Sequence, residues 1–84
     1  MDLQELKEIF ENVNVKLKGD TTFEGLKILK KYSNDTVIQG ASHDIIYSYH
    51  YYDIIDKLTS EDAKELAKLN WMLDSNYDCF ACFV

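Results

Sequence analysis

Apolar residues recur at Leu3, Leu6, Ile9, Phe10 and Val13, the three- and four-residue spacing of an amphipathic helix. Its acids fall early, where they complement the positive end of the helix dipole. At Val13 the period shortens. Val13, Val15 and Leu17 alternate with Asn14, Lys16 and Lys18, which predicts a half-buried strand closed by Gly19-Asp20. Thr21 with Glu24 three residues on is a capping-box pattern, opening a second helix with a Phe23, Leu26, Leu29 stripe and an Ile28–Tyr32 pair beside it. Gly25 inside that helix costs about 1 kcal/mol relative to alanine, so it predicts a close approach by another part of the chain. Ser33-Asn34-Asp35, a cluster of turn formers, ends the helix.

Residues 36–42 read as a strand with a bulge at Gly40. Residues 45–52 are β-branched and aromatic and suit a second strand across a Ser42-His43-Asp44 turn, a helix being the competing reading. Residues 53–58 form a connection with room for one helical turn. Thr59 with Asp62 three residues on, and Leu58 poised to staple onto Ala63, start a third helix that buries Ala63, Leu66 and Ala67. Asn70 stands where a helix commonly ends in the left-handed conformation. Trp71–Asp74, a turn, and Cys79–Val84 complete a terminal hairpin. The predicted order is αβαββαββ, an α+β fold with two to three helices packed on a small antiparallel sheet. One domain over residues 1–84 is expected. In it a helix and strand (1–20) are added to a helix-hairpin-helix-hairpin core (21–84), with Leu66, Trp71 and Phe80 buried.

Fifteen acids against nine bases give the 84-residue chain a net charge of −6. Every base is a lysine, which argues against a nucleic-acid reader, since bidentate guanine and phosphate recognition falls mainly to arginine. The charge is unevenly laid out: Lys16, Lys18, Lys27, Lys30 and Lys31 form a block between two acidic ends. Such asymmetry produces a local field that steers partners of opposite sign. No apolar run is long enough to span a membrane, and the acidic Met-Asp-Leu-Gln-Glu start does not read as a signal peptide. The expected compartment is the cytoplasm.

Cys79-Phe-Ala-Cys82 has the spacing of redox and zinc motifs, but on a strand positions i and i+3 point to opposite faces. A structural zinc site also needs four ligands, and His43 and His50 match no common pattern with this pair. The cysteines are expected to be reduced, unmetallated and dispensable, and no cofactor is expected. His43-Asp44 resembles a phosphohydrolase dipeptide, yet the further His and Asp ligands are missing and a turn explains Asp44. No catalytic set is completed, so no enzyme is expected. The more informative cluster is Tyr47, Tyr49, Tyr51 and Tyr52, of which alternation sends half inward. Exposed tyrosine is a contact residue, and Asp53, Asp56, Glu61, Asp62 and Glu65 follow directly. The candidate partner-binding set is therefore Tyr49, Tyr51, Tyr52, Asp53, Asp56, Glu61, Asp62 and Glu65, set against the plainer reading of a core strand and a solvated helix face.

From Gly25 onward, the run Gly-Leu-Lys-Ile-Leu-Lys-Lys-Tyr, then Ser-His-Asp-Ile-Ile-Tyr, Leu-Thr-Ser-Glu-Asp, Leu-Asn-Trp and Tyr-Asp-Cys-Phe-Ala-Cys-Phe-Val resembles small acidic phage-encoded proteins of the anti-CRISPR type. The resemblance implies a class alone: a stoichiometric inhibitor of a bacterial defence complex, acting without cofactor. The acidic charge adds the expected partner, a basic protein surface such as a CRISPR effector subunit, with no direct contact to nucleic acid or membrane. A monomer is the expected state. The rival is a small regulatory or assembly protein, an antitoxin or phage adaptor, dimerising through Leu3, Leu6, Ile9 and Phe10. A metal- or redox-active protein using Cys79 and Cys82 is the further alternative.

Overall fold

The computed structural model describes all of residues 1–84. Four helices and four strands follow in the order α1 (Leu3–Asn12), α2 (Thr21–Lys30), β1 (Gly40–Ser42), β2 (Ile45–His50), α3 (Tyr51–Ile54), α4 (Ser60–Lys68), β3 (Met72–Asp74) and β4 (Cys79–Phe83). The strands make one antiparallel sheet in the order β1-β2-β4-β3. The class is α+β, as the patterning predicts. The pairing of β2 with β4 joins two hairpins that are far apart in sequence, leaving β1 and β3 as short edges.

The register assigns each side chain to a face. Ile46 pairs with Cys82 and Leu73 with Phe80, and these four lie on the face the helices cover. There Leu6 of α1, Leu29 of α2 and Ala63 and Leu66 of α4 are wholly buried against Phe80, with the Phe10 ring 6.2 Å from it. Leu66, Trp71 and Phe80 are all core, as expected. Ile45, Tyr47, Met72, Ala81 and Phe83 lie on the other face, which no helix covers. Between Tyr47 and His50, β2 advances three residues while β4 advances two, from Ala81 to Cys79. This extra residue is the sheet's bulge, in β2 rather than at Gly40, and it lets the consecutive Ser48 and Tyr49 both turn inward.

The close approach expected at Gly25 is present. A β-carbon there would overlap the indole nitrogen of Trp71, so only glycine lets the ring lie on α2. From that position Trp71 Nε1 donates to the Thr21 carbonyl at 3.2 Å. Helix α4 has both of its expected ends. The Asp62 amide donates to the Thr59 hydroxyl at 3.1 Å, and Asn70 takes φ 66°. The Trp71 and Asn70 amides then return to the Leu66 and Ala67 carbonyls, the paired bonds of a left-handed helix stop.

Other expectations are corrected. Val13–Lys18 joins no sheet. Its Leu17 amide instead donates to the Lys68 carbonyl at 2.7 Å and Lys16 Nζ to the Ala67 carbonyl at 2.8 Å, so the segment closes the C-terminal end of α4. Val15, two-thirds exposed, contributes nothing to the core. At α2 the first helical residue is Thr21 and the cap is Asp20, which makes no side-chain bond, so the Thr21–Glu24 box does not form. Phe23 is exposed, and the buried positions of α2 are Gly25 and Leu29. Residues 36–39 lie outside the ladder, although Gln39 N still donates to the Tyr47 carbonyl. The aromatic strand ends at His50, and Tyr51–Ile54 turns helical.

Candidate functional site

The tyrosines divide sharply. Tyr49 and Tyr51 are 4% and 3% exposed and cannot form a contact surface, which corrects their place in the candidate set. The Tyr49 hydroxyl donates to the Asp35 carbonyl at 2.7 Å, anchoring the loop after α2. Tyr51 donates to Asp78 Oδ1 at 2.9 Å, and burial together with that bond pushes its phenol up to about 12. Tyr52, 57% exposed, stays available, its ring 4.9 Å from that of Tyr51. The bulge and the turn into α3 overrode simple alternation here.

The carboxylates also divide. Asp62 is already engaged: Lys31 Nζ lies 2.7 Å from its Oδ2, and the Tyr32 hydroxyl donates to the same oxygen. Burial alone would raise its pKa, but the bonds from Lys31 and Tyr32 hold it below the ordinary value. It ties α2 to the start of α4, so it is corrected from a partner contact to an internal link. Asp53 lines a polar groove with Lys31, Tyr32, Asp35 and Lys57. Asp56 and Glu61 are exposed and Glu65 half-buried, and Glu61 and Glu65 stand one turn apart on α4.

The sequence reading missed the acids of α1. The Met1 amino group donates to the Ile55 carbonyl at 3.2 Å, setting Asp2 beside the Ile55–Asp56 segment. Helices α1 and α4 pack on each other, and the shallow groove between them is lined by Glu5, Glu8, Ser60 and Lys64. The acids at the N-terminus and those of residues 56–65 therefore lie on or just before the two helices that flank this groove, α1 and α4. Together they make an acidic band, with Lys64 in the groove as its one cation. The acidic spacing of α1 was visible in the sequence; its neighbour was not.

The whole chain holds two ion pairs, Lys27–Glu24 at 3.7 Å and Lys31–Asp62, so only two of fifteen carboxylates meet a lysine. Of the lysine block, Lys27 and Lys31 are held in those two pairs, while Lys16 and Lys30 meet carbonyls and keep their charge. Lys16 caps α4, Lys27 also lies over the Phe23 ring, and Lys30 donates to the Asn34 and Asp35 carbonyls. The surface field that results is negative.

Cys79 and Cys82 are both buried, one on each face of β4, which does not let their sulfurs converge. Burial pushes the Cys79 thiol up to about 11 and raises Cys82 as well, against the activated thiolate that redox chemistry needs. No group of three or more His, Cys, Asp or Glu is arranged to hold a metal ion. His43, at φ 54°, occupies the β1–β2 turn, and His50 Nδ1 meets the Tyr77 carbonyl at 2.8 Å. No helix is long and apolar enough to cross a membrane. Leu6 is fully buried, and Leu3, Ile9 and Phe10 pack on the chain's own core, so the apolar stripe of α1 is not free for the dimer of the rival reading.

What fold and site define together is a small α+β domain with an unpaired acidic band. No protein family, curated protein or solved structure matches the chain.

Proposed function

We propose that this protein is a stoichiometric, protein-binding inhibitor whose acidic band docks on a basic protein surface that otherwise holds nucleic acid. The observation that carries the reading is the band itself: Asp2, Glu5 and Glu8 at α1 with Asp56, Glu61 and Glu65 at α4, none of them in an ion pair, although Asp2 caps α1 and Glu8 accepts from Gln4. Carboxylates left unpaired inside the molecule are free to pair outside it. Effectors of the CRISPR type keep their nucleic acid in a positively charged channel, and a compact acidic domain competes for those same cations. Tyr52 supplies a rigid aromatic contact next in sequence to Asp53 and near Asp56. The likeness of residues 25–84 to phage anti-CRISPR proteins agrees with this and selects the host cytoplasm as the place of action.

The test adds purified chain to CRISPR effector complexes of several types and measures binding of their target DNA. Loss of DNA binding at near-equal molar ratio, relieved as salt rises, is the expected result. Undisturbed DNA binding in every type rejects the proposal.

A further inference from the structure

A second surface lies away from the acidic band. Strand β3 is an edge of the sheet, paired on one side only, with β4. No backbone hydrogen bond beyond the ladder reaches Met72, Leu73 or Asp74. A groove of about 390 Å³ runs alongside this edge, with Phe10, Trp71 and Leu73 among its lining. The charged residues lining it are Lys7, Glu11 and Lys16, one positive charge in excess on a molecule of net charge −6, with Asp74 at the far end of the edge. Lys7 makes no bond within the chain, and Lys16 Nζ gives one to the Ala67 carbonyl and keeps two donors.

We propose that this groove binds an extended peptide segment bearing carboxylates, which adds as a fifth strand to the free edge of β3. The main-chain groups of β3 give the pairing, the aromatic and aliphatic lining takes alternate side chains, and Lys7 and Lys16 select acidic ends. Three residues of edge span about 10 Å, so the segment is short. A basic peptide is disfavoured by the two lysines, and its preference for the site is one of the outcomes below. This surface is independent of the acidic band and of the inhibitor reading.

The protein carries its own reporter, because Trp71 is the sole tryptophan and lines the groove. The probe is a short synthetic peptide of alternating valine and threonine with glutamate at both ends, titrated onto the full chain. Three comparisons accompany it: the same peptide with lysine ends, the glutamate peptide N-methylated at alternate amides, and the variant Lys7→Glu, an exposed helix position whose fold is checked by circular dichroism. The expected result is a shift in Trp71 emission and in the amide resonances of Met72–Asp74, with lysine ends weakening binding at least about fivefold at low salt. N-methylation should abolish binding, and Lys7→Glu should weaken the glutamate peptide selectively. Absence of any shift overturns the proposal, as does equal or stronger binding of the lysine-ended peptide. Binding that survives N-methylation overturns strand addition.

Discussion

The lysine-bearing side and the acid-bearing side of this protein look like mirror images in sequence and do different work in the structure. Lys27, Lys30 and Lys31 at α2, and Lys16 at the end of α4, each meet a carbonyl, a carboxylate or a ring of their own chain. On the α1–α4 side, Glu5, Asp56 and Glu61 meet no lysine. Net charge alone does not reveal a binding surface; what matters is the charge left after internal pairing. Lys27 and Lys31 are held in ion pairs and Lys16 and Lys30 are anchored on carbonyls, whereas the acidic band meets no lysine and remains for a partner.

The two sides share α4 as their support, so the largest expected effect strikes both. Leu66→Ala, at a wholly buried position, should cost about 2–5 kcal/mol in urea unfolding. A loss near zero would mean that α4 does not anchor the core. Next, Gly25→Ala tests the seat of the lysine-bearing helix. In an open helix this change is stabilising, but here the new methyl collides with Trp71, and about 2–3 kcal/mol should be lost. Stabilisation instead would show that the indole does not rest on α2.

A smaller effect, with a sign in pH, belongs to Asp62. Its folded pKa lies below the ordinary 3.8, so its stabilisation is complete above about pH 4 and is lost as pH falls through the folded value. Asp62→Asn should cost about 1 kcal/mol at neutral pH and flatten the acid limb of the stability curve. An unchanged acid limb would remove Asp62 from the α2–α4 link. Smallest of all, Asp56→Lys with Glu61→Lys should alter stability by no more than about 0.5 kcal/mol, since both side chains are exposed and unpaired. A larger loss would place these acids on the structural side of the comparison.

Local chemistry was legible in the sequence wherever one element carried its own instructions. Thr59 and Asn70 bound α4 as their residue types require, and Gly25 signalled a close approach whose partner, Trp71, only the structure names. Alternation failed at Val13–Leu17 because a strand needs an edge to pair with. The open carbonyls of Ala67 and Lys68, some fifty residues along the chain, took its donors instead. It failed again at Tyr49, where one bulge residue turned a supposed surface side chain into core. Half of the acidic band stayed hidden for the same reason: Met1 reaches Ile55 only in three dimensions.

The most direct measurement compares wild type with the Asp56→Lys, Glu61→Lys, Glu65→Lys triple variant in suppressing target-DNA binding by a CRISPR effector complex, at low and at high salt. The account predicts strong suppression by wild type at low salt, marked loss of it in the folded triple variant, and a difference that narrows as salt rises. Suppression by the triple variant equal to that of wild type, or wild-type suppression indifferent to salt, would contradict it.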